Sequence, residues 1–342
     1  MRVDKDKWEI LAENIPIGVI LLDSEEKLEY INNSAEVILG LKDVEIGKKL
    51  FEIVPDYEID ELVKKTLKSK ENNSISIYYW SNEKKLLEIR SIYLEDGKVF
   101  LIIEDKSIYE KLEENYRDFI ANASHELRTP LTSIQILLDL FSEKKITLEE
   151  IQNEFFPYLK KEIMRMTKLV TNLLNLSRLE SGVVQINPQK IFLIDIIDKV
   201  LESLYPLIKK KGLKLHLDVP SSLEIYADPQ HLETILFNLL ENAVKYTPEN
   251  KQIFIYSNFD DNNIVLVIKD TGVGIPEKDL PYIFDRFYRV ERSRTSEDGF
   301  SSGLGLAIVK KLVEKHNWKI EVESELNLGT TFKILIPKGK EG

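Results

Sequence analysis

Apolar residues recur every three or four positions between residues 119 and 138, and this spacing predicts a helix with one apolar face. That face carries Phe119, Ile120, Leu127, Leu131, Ile134 and Leu138. His125 falls outside it, so we expect its imidazole to face solvent, with Glu126 beside it and Thr129 one turn further on. Pro130 lacks a backbone N–H, so we expect the helix to bend there. The pattern therefore predicts an exposed histidine next to a carboxylate on a bent helix.

A second amphipathic helix is predicted after a break near Ser142–Lys145, starting at the capping-box pair of Thr147 and Glu150. Its apolar residues are Ile151, Phe155, Leu159, Ile163, Met166, Leu169, Leu173 and Leu176, and we expect Pro157 to kink it. Neither helix can bury its apolar face alone. A homodimeric four-helix bundle is the simplest closure, and an intramolecular coiled-coil linker is the alternative. Upstream, a near-heptad seam continues toward the N-terminal region through Ile108, Leu112, Asn115 and Phe119.

Residues 1–105 predict short strands separated by short helices. The strands are expected at Gly18–Leu22, Leu28–Asn32, Ser74–Trp80, Lys85–Leu94 and Lys98–Glu104, with a helix at Ser34–Leu39. This order resembles a PAS domain, and GVILLD…YINNSAEVILG is similar to the opening of that family. The resemblance implies a sensor that binds an unknown signal or small ligand, or only other proteins. The first histidine of the chain is His125 and there is no cysteine, so this region offers no histidine to a haem and no thiol to a flavin.

A predicted helix that starts at Asp228-Pro229 carries the polar groups best suited to a phosphate ligand. Asn238 and Asn242 are four residues apart, so their amides share one face, and Lys245 and Tyr246 follow about one turn later. Asparagine is a poor helix former, so two amides on one face are unusual. An amide oxygen can ligate Mg²⁺, a hard cation that binds phosphates, and a lysine can hold a phosphate directly.

Two glycine-containing loops follow this helix. The first is DTGVGIP, where Gly272 and Gly274 permit close approach of a ligand and Asp270 can accept a hydrogen bond from an exocyclic amine. The second is Gly303-Leu304-Gly305-Leu306, which opens a helix whose free N–H groups can bind phosphate. Between them, Glu291–Ser302 lacks apolar periodicity and is expected to be a mobile lid.

Composition and charge narrow the class of protein. The 342 residues suggest two or three domains, and a net charge of −11 argues against a nucleic-acid partner. The absence of cysteine excludes disulfides and thiolate metal sites. The longest apolar runs, such as Ile15–Leu22, are too short to span a bilayer, and the N-terminus has no apolar signal core. We therefore expect a cytoplasmic protein without a transmembrane segment.

The stretch SHELRTPL resembles the H-box of sensor histidine kinases, whose histidine is phosphorylated by ATP. The resemblance implies that His125 accepts the phosphoryl group, that Glu126 accepts a proton from the imidazole or orients it, and that Thr129 helps to dephosphorylate the partner. The stretch NLLENAVKYT resembles the N-box of the GHKL, or Bergerat, ATPases. By that resemblance Asn242 is the Mg²⁺ ligand, and the residues that contact phosphates or their waters are Asn238, Lys245 and Tyr246.

The remaining boxes of the ATPase family have counterparts here. DTGVGIP is similar to the G1-box, which implies that Asp270 reads the adenine amino group and that Gly272, Gly274 and Ile275 also contact the nucleotide. The other implied nucleotide-site residues are Phe284 and Phe287 of the F-box, Arg289 near the γ-phosphate, Gly303, Leu304, Gly305 and Leu306 of the G2-box, and Thr330 in the adenine pocket. For Arg286, Arg292 and Arg294 we expect a solvated loop face. The chain departs from the family pattern at Ser301 and Asn327, where glycine is usual.

These patterns lead to a multidomain α+β chain. We expect a PAS-like sensor (1–105), a helical hairpin that forms a dimeric four-helix bundle (106–182) and a Bergerat-type α/β sandwich that binds ATP and Mg²⁺ (183–342). The expected function is a homodimeric sensor histidine kinase that phosphorylates His125 and passes the phosphoryl group to a response regulator receiver domain. The alternatives are a GHKL conformational machine, which needs no H-box, and a scaffold that binds ATP without catalysis.

Overall fold

The computed structural model describes residues 5–142, 153, 155–181, 184–290 and 302–338. The chain forms two compact units, which meet in sequence between Asp118 and Phe119. The predicted capping box at residues 147 and 150, most of the predicted lid and the arginines at 292 and 294 lie outside the described residues. Within the described part of the chain, no helix is both long enough and apolar enough to cross a membrane.

The first unit is built around a five-stranded antiparallel sheet whose strand order is β2-β1-β5-β4-β3. Its strands are β1 (Gly18–Leu22), β2 (Leu28–Ile31), β3 (Asn73–Trp80), β4 (Lys84–Tyr93) and β5 (Val99–Asp105). The helices are α1 (Lys5–Glu13), α2 (Asn33–Leu39), α3 (Leu50–Ile53) and α4 (Tyr57–Ser69). Alternate strand residues such as Leu87, Ile89 and Leu101 are fully buried beneath α2 and α4. The predicted PAS-like order of strands and helices is therefore confirmed.

Two long helices form the hairpin region. The first, α5 (Ser107–Ser142), begins where Asp105 accepts a hydrogen bond from the backbone N–H of Ser107 at 2.9 Å. It continues through the buried Pro130 as one helix. The second is α6 (Phe156–Glu180). Pro157 is the second residue of this helix, and the kink expected there stays a prediction because residues 151, 152 and 154 lie outside the described part of the chain.

The C-terminal part is a sandwich of helices on a five-stranded sheet of order β11-β12-β10-β9-β7, and only the β7–β9 pair is parallel. The sheet strands are β7 (Lys214–Asp218), β9 (Gln252–Phe259), β10 (Asn263–Asp270), β11 (Lys319–Glu325) and β12 (Gly329–Pro337), and a separate pair joins β6 (Gln189–Phe192) to β8 (Glu224–Ala227). The helices are α7 (Leu193–Lys210), α8 (Pro229–Tyr246) and α9 (Gly305–Lys315), with a 3-10 turn at Glu277–Tyr282. The mixed α+β fold class expected from the sequence is confirmed, with an antiparallel PAS-like sheet, long helices in the hairpin region and an α/β sandwich at the C-terminal end.

Helix α8 is the central element of this sandwich because it packs on both α7 and α9 and on β10. Asp228 caps its N-terminus by accepting hydrogen bonds from the backbone N–H groups of Gln230 and His231, and Pro229 is its first residue. The side of α8 that faces the core carries Leu232, Ile235, Leu236, Leu239, Leu240, Ala243 and Val244, all buried. Burying each large side chain contributes roughly 1.5–3 kcal/mol, so this face fixes the rotation of the helix. The amides on its opposite side are thereby directed away from the core.

Candidate functional site

His125 lies exposed on α5, and residues close to it in the chain make contacts within α5 and with α6. The hydroxyl of Thr129, one turn later, donates to the backbone carbonyl of His125 at 3.2 Å. The half-buried carboxylate of Glu126 lies 3.9 Å from the guanidinium of Arg165 on α6. Arg165 in turn lies 3.4 Å from the buried Glu162. An accessible ring nitrogen therefore lies next to a carboxylate whose position is set by the second helix.

A cleft of about 510 Å³ opens beside α8 in the C-terminal sandwich. Twelve of the sequence-predicted site residues line it: Asn238, Asn242, Lys245, Tyr246, Asp270, Gly274, Ile275, Arg289, Gly303, Gly305, Leu306 and Thr330. The fold thus brings residues from α8, the end of β10, the start of α9 and β12 to one place. Four other predicted residues, Gly272, Phe284, Phe287 and Leu304, do not line the cleft.

Asp270 is the last residue of β10 and lines the cleft. The antiparallel register pairs Lys269 with Thr331, so Asp270 and Thr330 are neighbours across the sheet. The Asp270 carboxylate accepts hydrogen bonds from the backbone N–H groups of Gly272 at 2.7 Å and Thr330 at 3.3 Å. Burial of this carboxylate raises its pKa, against the effect of the two N–H donors. A buried acceptor of this kind is suited to a specific donor such as an exocyclic amine.

Lys245 carries the most perturbed charge in the cleft. Burial, together with the positive charge of Arg289, lowers the pKa of its ammonium to about 8, while Glu241 acts in the opposite direction. Its Nζ is buried, and among the described residues no hydrogen-bond partner is found for it. A buried cation without such a partner gains stability from an anionic ligand, so Lys245 is suited to bind a phosphate.

Two glycines let backbone segments approach one another at the rim of the cleft. Gly274 has φ +68°, and a Cβ there would lie 2.0 Å from the carbonyl oxygen of Glu325. Gly303 has φ +69°, and a Cβ would lie 2.6 Å from the backbone carbonyl carbon of Phe287. Phe287 itself has φ +61°, which is rare for a bulky residue. Its N–H donates to the carbonyl of Gly303 at 3.0 Å, so this bond holds the strained turn.

The F-box phenylalanines support the site from outside the cleft. The ring of Phe284 packs edge-on against Phe332, which does line the cleft, at a centroid distance of 6.4 Å. The ring of Phe287 instead packs against Phe119 of α5 at 5.8 Å. Leu304 is fully buried in the core beneath the start of α9. These side chains pack behind the residues that line the cleft and do not line it themselves.

Comparison with protein-family models matches three segments of the chain. Residues 8–99 match the PAS domain, residues 115–182 the His Kinase A (phospho-acceptor) domain, and residues 227–340 the histidine kinase-, DNA gyrase B- and HSP90-like ATPase domain. The Staphylococcus aureus sensor protein kinase WalK is 30% identical over 347 residues, which cover 98% of this chain and 81% of that relative. This chain belongs to the sensor histidine kinases. The family resemblance predicted from the H-box and the ATPase boxes is thereby confirmed.

Other relatives of this kinase extend the comparison. The Bacillus subtilis sensor histidine kinase WalK is 31% identical over 340 residues, and the chain spans 54% of the length of that relative. Among solved structures, the histidine kinase ThkA in complex with the response regulator protein TrrA has a TM-score of 0.53 at 23% identity. That match covers 96% of this chain and 98% of the ThkA chain, and it supports the fold of the kinase.

Sequence reasoning missed several residues of the kinase's cleft. Lys168 and Asn172 of α6 line it, and the ammonium of Lys168 lies 2.5 Å from the carboxylate of Glu241 on α8. Lys211, just after α7, also lines it. No local motif marks these residues, because the helices that carry them meet α8 only in the folded chain.

One expected surface residue has a different environment. Arg286 does not belong to a solvated loop face, because its guanidinium lies 2.6 Å from the carboxylate of Glu180 on α6. The same guanidinium lies 5.2 Å from the centroid of the Phe119 ring. This side chain therefore joins the turn before Phe287 to both helices of the hairpin.

Proposed function

We propose that this kinase transfers the γ-phosphoryl group of ATP to His125 and then to an aspartate of a response regulator receiver domain. In this proposal residues 1–105 sense a signal, residues 106–182 carry the phosphoryl group and residues 183–342 bind ATP. The observation that carries the proposal is a cleft that combines the buried acceptor Asp270, the buried cation Lys245 and Arg289, in the same compact unit as the exposed His125. Each group suits a different part of the nucleotide.

The chemistry of the cleft fits ATP. Asp270 would accept a hydrogen bond from the adenine amino group, with Thr330 beside it, and Lys245 would bind phosphate oxygens. Arg289 would approach the γ-phosphate, where its fixed charge stabilises the transition state. The segment Gly303-Leu304-Gly305-Leu306 opens α9. Its two glycines would leave the backbone N–H groups at the start of this helix accessible to the phosphates.

The cleft also fits a magnesium ion. Asn242 lines it, and its amide oxygen is a hard donor of the type that Mg²⁺ takes in phosphate sites. When bound, Mg²⁺ would neutralise negative charge on the phosphates. Asn238 would support this arrangement from one turn earlier, because its Nδ2 donates to the carbonyl of Thr234 at 2.8 Å and leaves its amide oxygen near Gly305.

The first chemical step forms one bond and breaks one. A ring nitrogen of His125 attacks the γ-phosphorus, and the bond from that phosphorus to the bridging oxygen breaks and releases ADP. Glu126 accepts the proton from the other ring nitrogen or orients the ring. In the second step a receiver aspartate oxygen attacks the phosphorus and the P–N bond breaks. Thr129 would place a water that hydrolyses the phosphoaspartate, so the same hairpin would also dephosphorylate its partner.

We further propose that the kinase is a homodimer. Ile120, Leu131 and Leu138 of the α5 apolar face remain exposed in the single chain, and so do Ile163 and Leu174 of α6. A second copy that forms a four-helix bundle would bury them. The signal, any small ligand of the PAS domain and a cytoplasmic location stay predictions of the sequence.

His125→Ala tests the proposed acceptor. With radiolabelled ATP, the wild-type kinase should gain an acid-labile, base-stable phosphoryl label, and the variant should lose it while still binding nucleotide. His216→Ala is the matched control, since His216 lies on a strand of the ATP-binding region, and it should retain the label. Label that persists on the His125→Ala protein would disprove the assignment.

A further inference from the structure

The C-terminus of α8 lacks the usual backbone cap. Helices often end with a glycine in the left-handed conformation, which lets later N–H groups reach the last carbonyls. Here the residue after the helix is Thr247, with φ −88° and ψ 121°, and Pro248 follows, which has no N–H to donate. The last carbonyls of α8 therefore need donors from elsewhere in the fold.

Lys211 supplies donors to two of these carbonyls and to the carbonyl of the residue that follows the helix. Its Nζ lies 3.1 Å from the carbonyl oxygen of Val244, 2.7 Å from that of Lys245 and 3.2 Å from that of Thr247. An ammonium has three N–H groups, so these contacts use all of them. The positive charge also lies at the negative end of the α8 dipole, where a cation is stabilising.

The carbonyls that Lys211 does not reach are bound by backbone groups. The N–H of Thr247 donates to the carbonyl of Ala243 at 3.1 Å, and the N–H of Val273 donates to that of Tyr246 at 3.2 Å. The second bond ties the end of α8 to the loop that carries Asp270. The capped end of the helix thus connects the adenine side of the cleft to the phosphate side.

We infer that Lys211 is a positioning residue of the ATP site. Although it lines the cleft, its three donors are bound to carbonyls, so it acts through α8 rather than on the nucleotide. Its cap fixes the last turn of α8, from which Lys245 and Tyr246 project into the cleft. Its charge is also one of those that oppose protonation of Lys245. This inference rests on the proposed binding of ATP.

Lys211→Met is the direct test, because methionine keeps the length of the side chain and removes every donor. We expect the affinity for a non-hydrolysable imido analogue of ATP with Mg²⁺ to fall at least fivefold. In autophosphorylation the KM for ATP should rise by a similar factor, with kcat changed less than twofold. Lys211→Arg, which retains donors and charge, should restore affinity to within about threefold of wild type.

Lys210→Met is the matched control, because Lys210 is the exposed neighbour at the end of α7. This variant should bind the analogue as tightly as wild type does. Binding is measured well below the unfolding temperature of each variant. If Lys211→Met does not fold, Lys211→Gln and Lys211→Arg decide the question, and glutamine should bind several-fold more weakly than arginine. Equal affinities of wild type and Lys211→Met would overturn the inference. If the methionine variant does not fold, equal affinities of Lys211→Gln and Lys211→Arg would do so.

A pH profile separates positioning from a merely structural role. Without the charge at 211, the pH above which analogue affinity declines should move upward, because Lys245 loses a repelling neighbour. A variant with a lower melting temperature but unchanged affinity and pH profile would show that Lys211 only stabilises the fold. If wild type itself fails to bind the analogue, the proposed ATP site is wrong, and this outcome differs from failure of the variant alone.

Discussion

At the scale of single residues, the charge of Lys245 gives a prediction about pH. Its pKa is about 8 in the free kinase, so the ammonium is mostly protonated at pH 7 and mostly neutral at pH 9. Phosphate binding favours the charged form and raises this pKa, so binding takes up a proton near pH 8. If only the protonated form binds, affinity for the ATP analogue should fall about tenfold between pH 7 and pH 9.

Calorimetry in two buffers of different ionisation enthalpy measures this proton uptake directly. Lys245→Arg is the control, since a guanidinium stays charged throughout this range and should remove the pH dependence. A wild-type affinity that is constant between pH 7 and pH 9 would contradict the role given to Lys245.

Asn327 shows how a departure from a family pattern can be accommodated. Glycine is usual at this position, and the turn there does need a left-handed residue, because Asn327 has φ +66°. Asparagine tolerates this conformation better than most residues. Its N–H donates to the carbonyl of Val273 at 2.8 Å, so the turn still reaches the loop beside Asp270. The left-handed turn is therefore formed without the usual glycine, whereas Ser301, the other departure from the family pattern, lies outside the described residues.

At the scale of elements, α5 is the part of the kinase most suited to transmit a signal. It runs without interruption from Ser107 to Ser142, and an intact helix can transmit rotation or bending. Asn115 is a polar residue in the seam that leads to Phe119, and such residues keep alternative packings close in energy. We expect the hairpin to have two packings, one of which lets the ATP-binding domain reach His125.

Insertions near Glu113 test whether the phase of this helix matters. One inserted residue rotates everything downstream by about 100°, whereas seven residues nearly restore the phase. In the first variant autophosphorylation should be either fixed at one level or abolished. In the second variant it should be largely preserved. Equal activity of the two would mean that the helix carries no phase information and that the sensor acts by direct contact with the ATP-binding domain.

At the scale of the whole molecule, the exposed apolar face of α5 predicts self-association. Leu138 is 54% exposed in the single chain, and we expect it to be buried in the dimer. Leu138→Lys would place an unpaired ammonium in that interface, which costs several kcal/mol. The dimer dissociation constant should rise by about a hundredfold or more, as sedimentation equilibrium would measure.

Asp139→Lys introduces the same side chain at the next position, which is exposed and lies off the apolar face. This variant should dimerise as wild type does. If Leu138→Lys also leaves the dimer intact, the face of α5 predicted from the sequence is not the interface between the copies.

The sequence alone determined the elements whose signals are local. The strand Gly18–Leu22 and the start of α8 at Asp228-Pro229 were predicted with their observed bounds, because periodicity and capping act over a few residues. The exposure of His125 followed from its place outside the apolar face. The motif residues around Asn242 and Asp270 were identified from short, specific stretches.

Only the tertiary structure decided which distant residues meet around the cleft. Lys211 reaches the carbonyl of Lys245 across 34 residues, and Arg286 reaches Glu180 on another helix. Such contacts depend on how α7 and α6 pack against the sandwich and on the register that aligns Asp270 with Thr330. A pattern with a period of two or of 3.6 residues specifies which face of an element is apolar. It does not specify which partner covers that face, since many apolar faces are chemically equivalent until the chain folds.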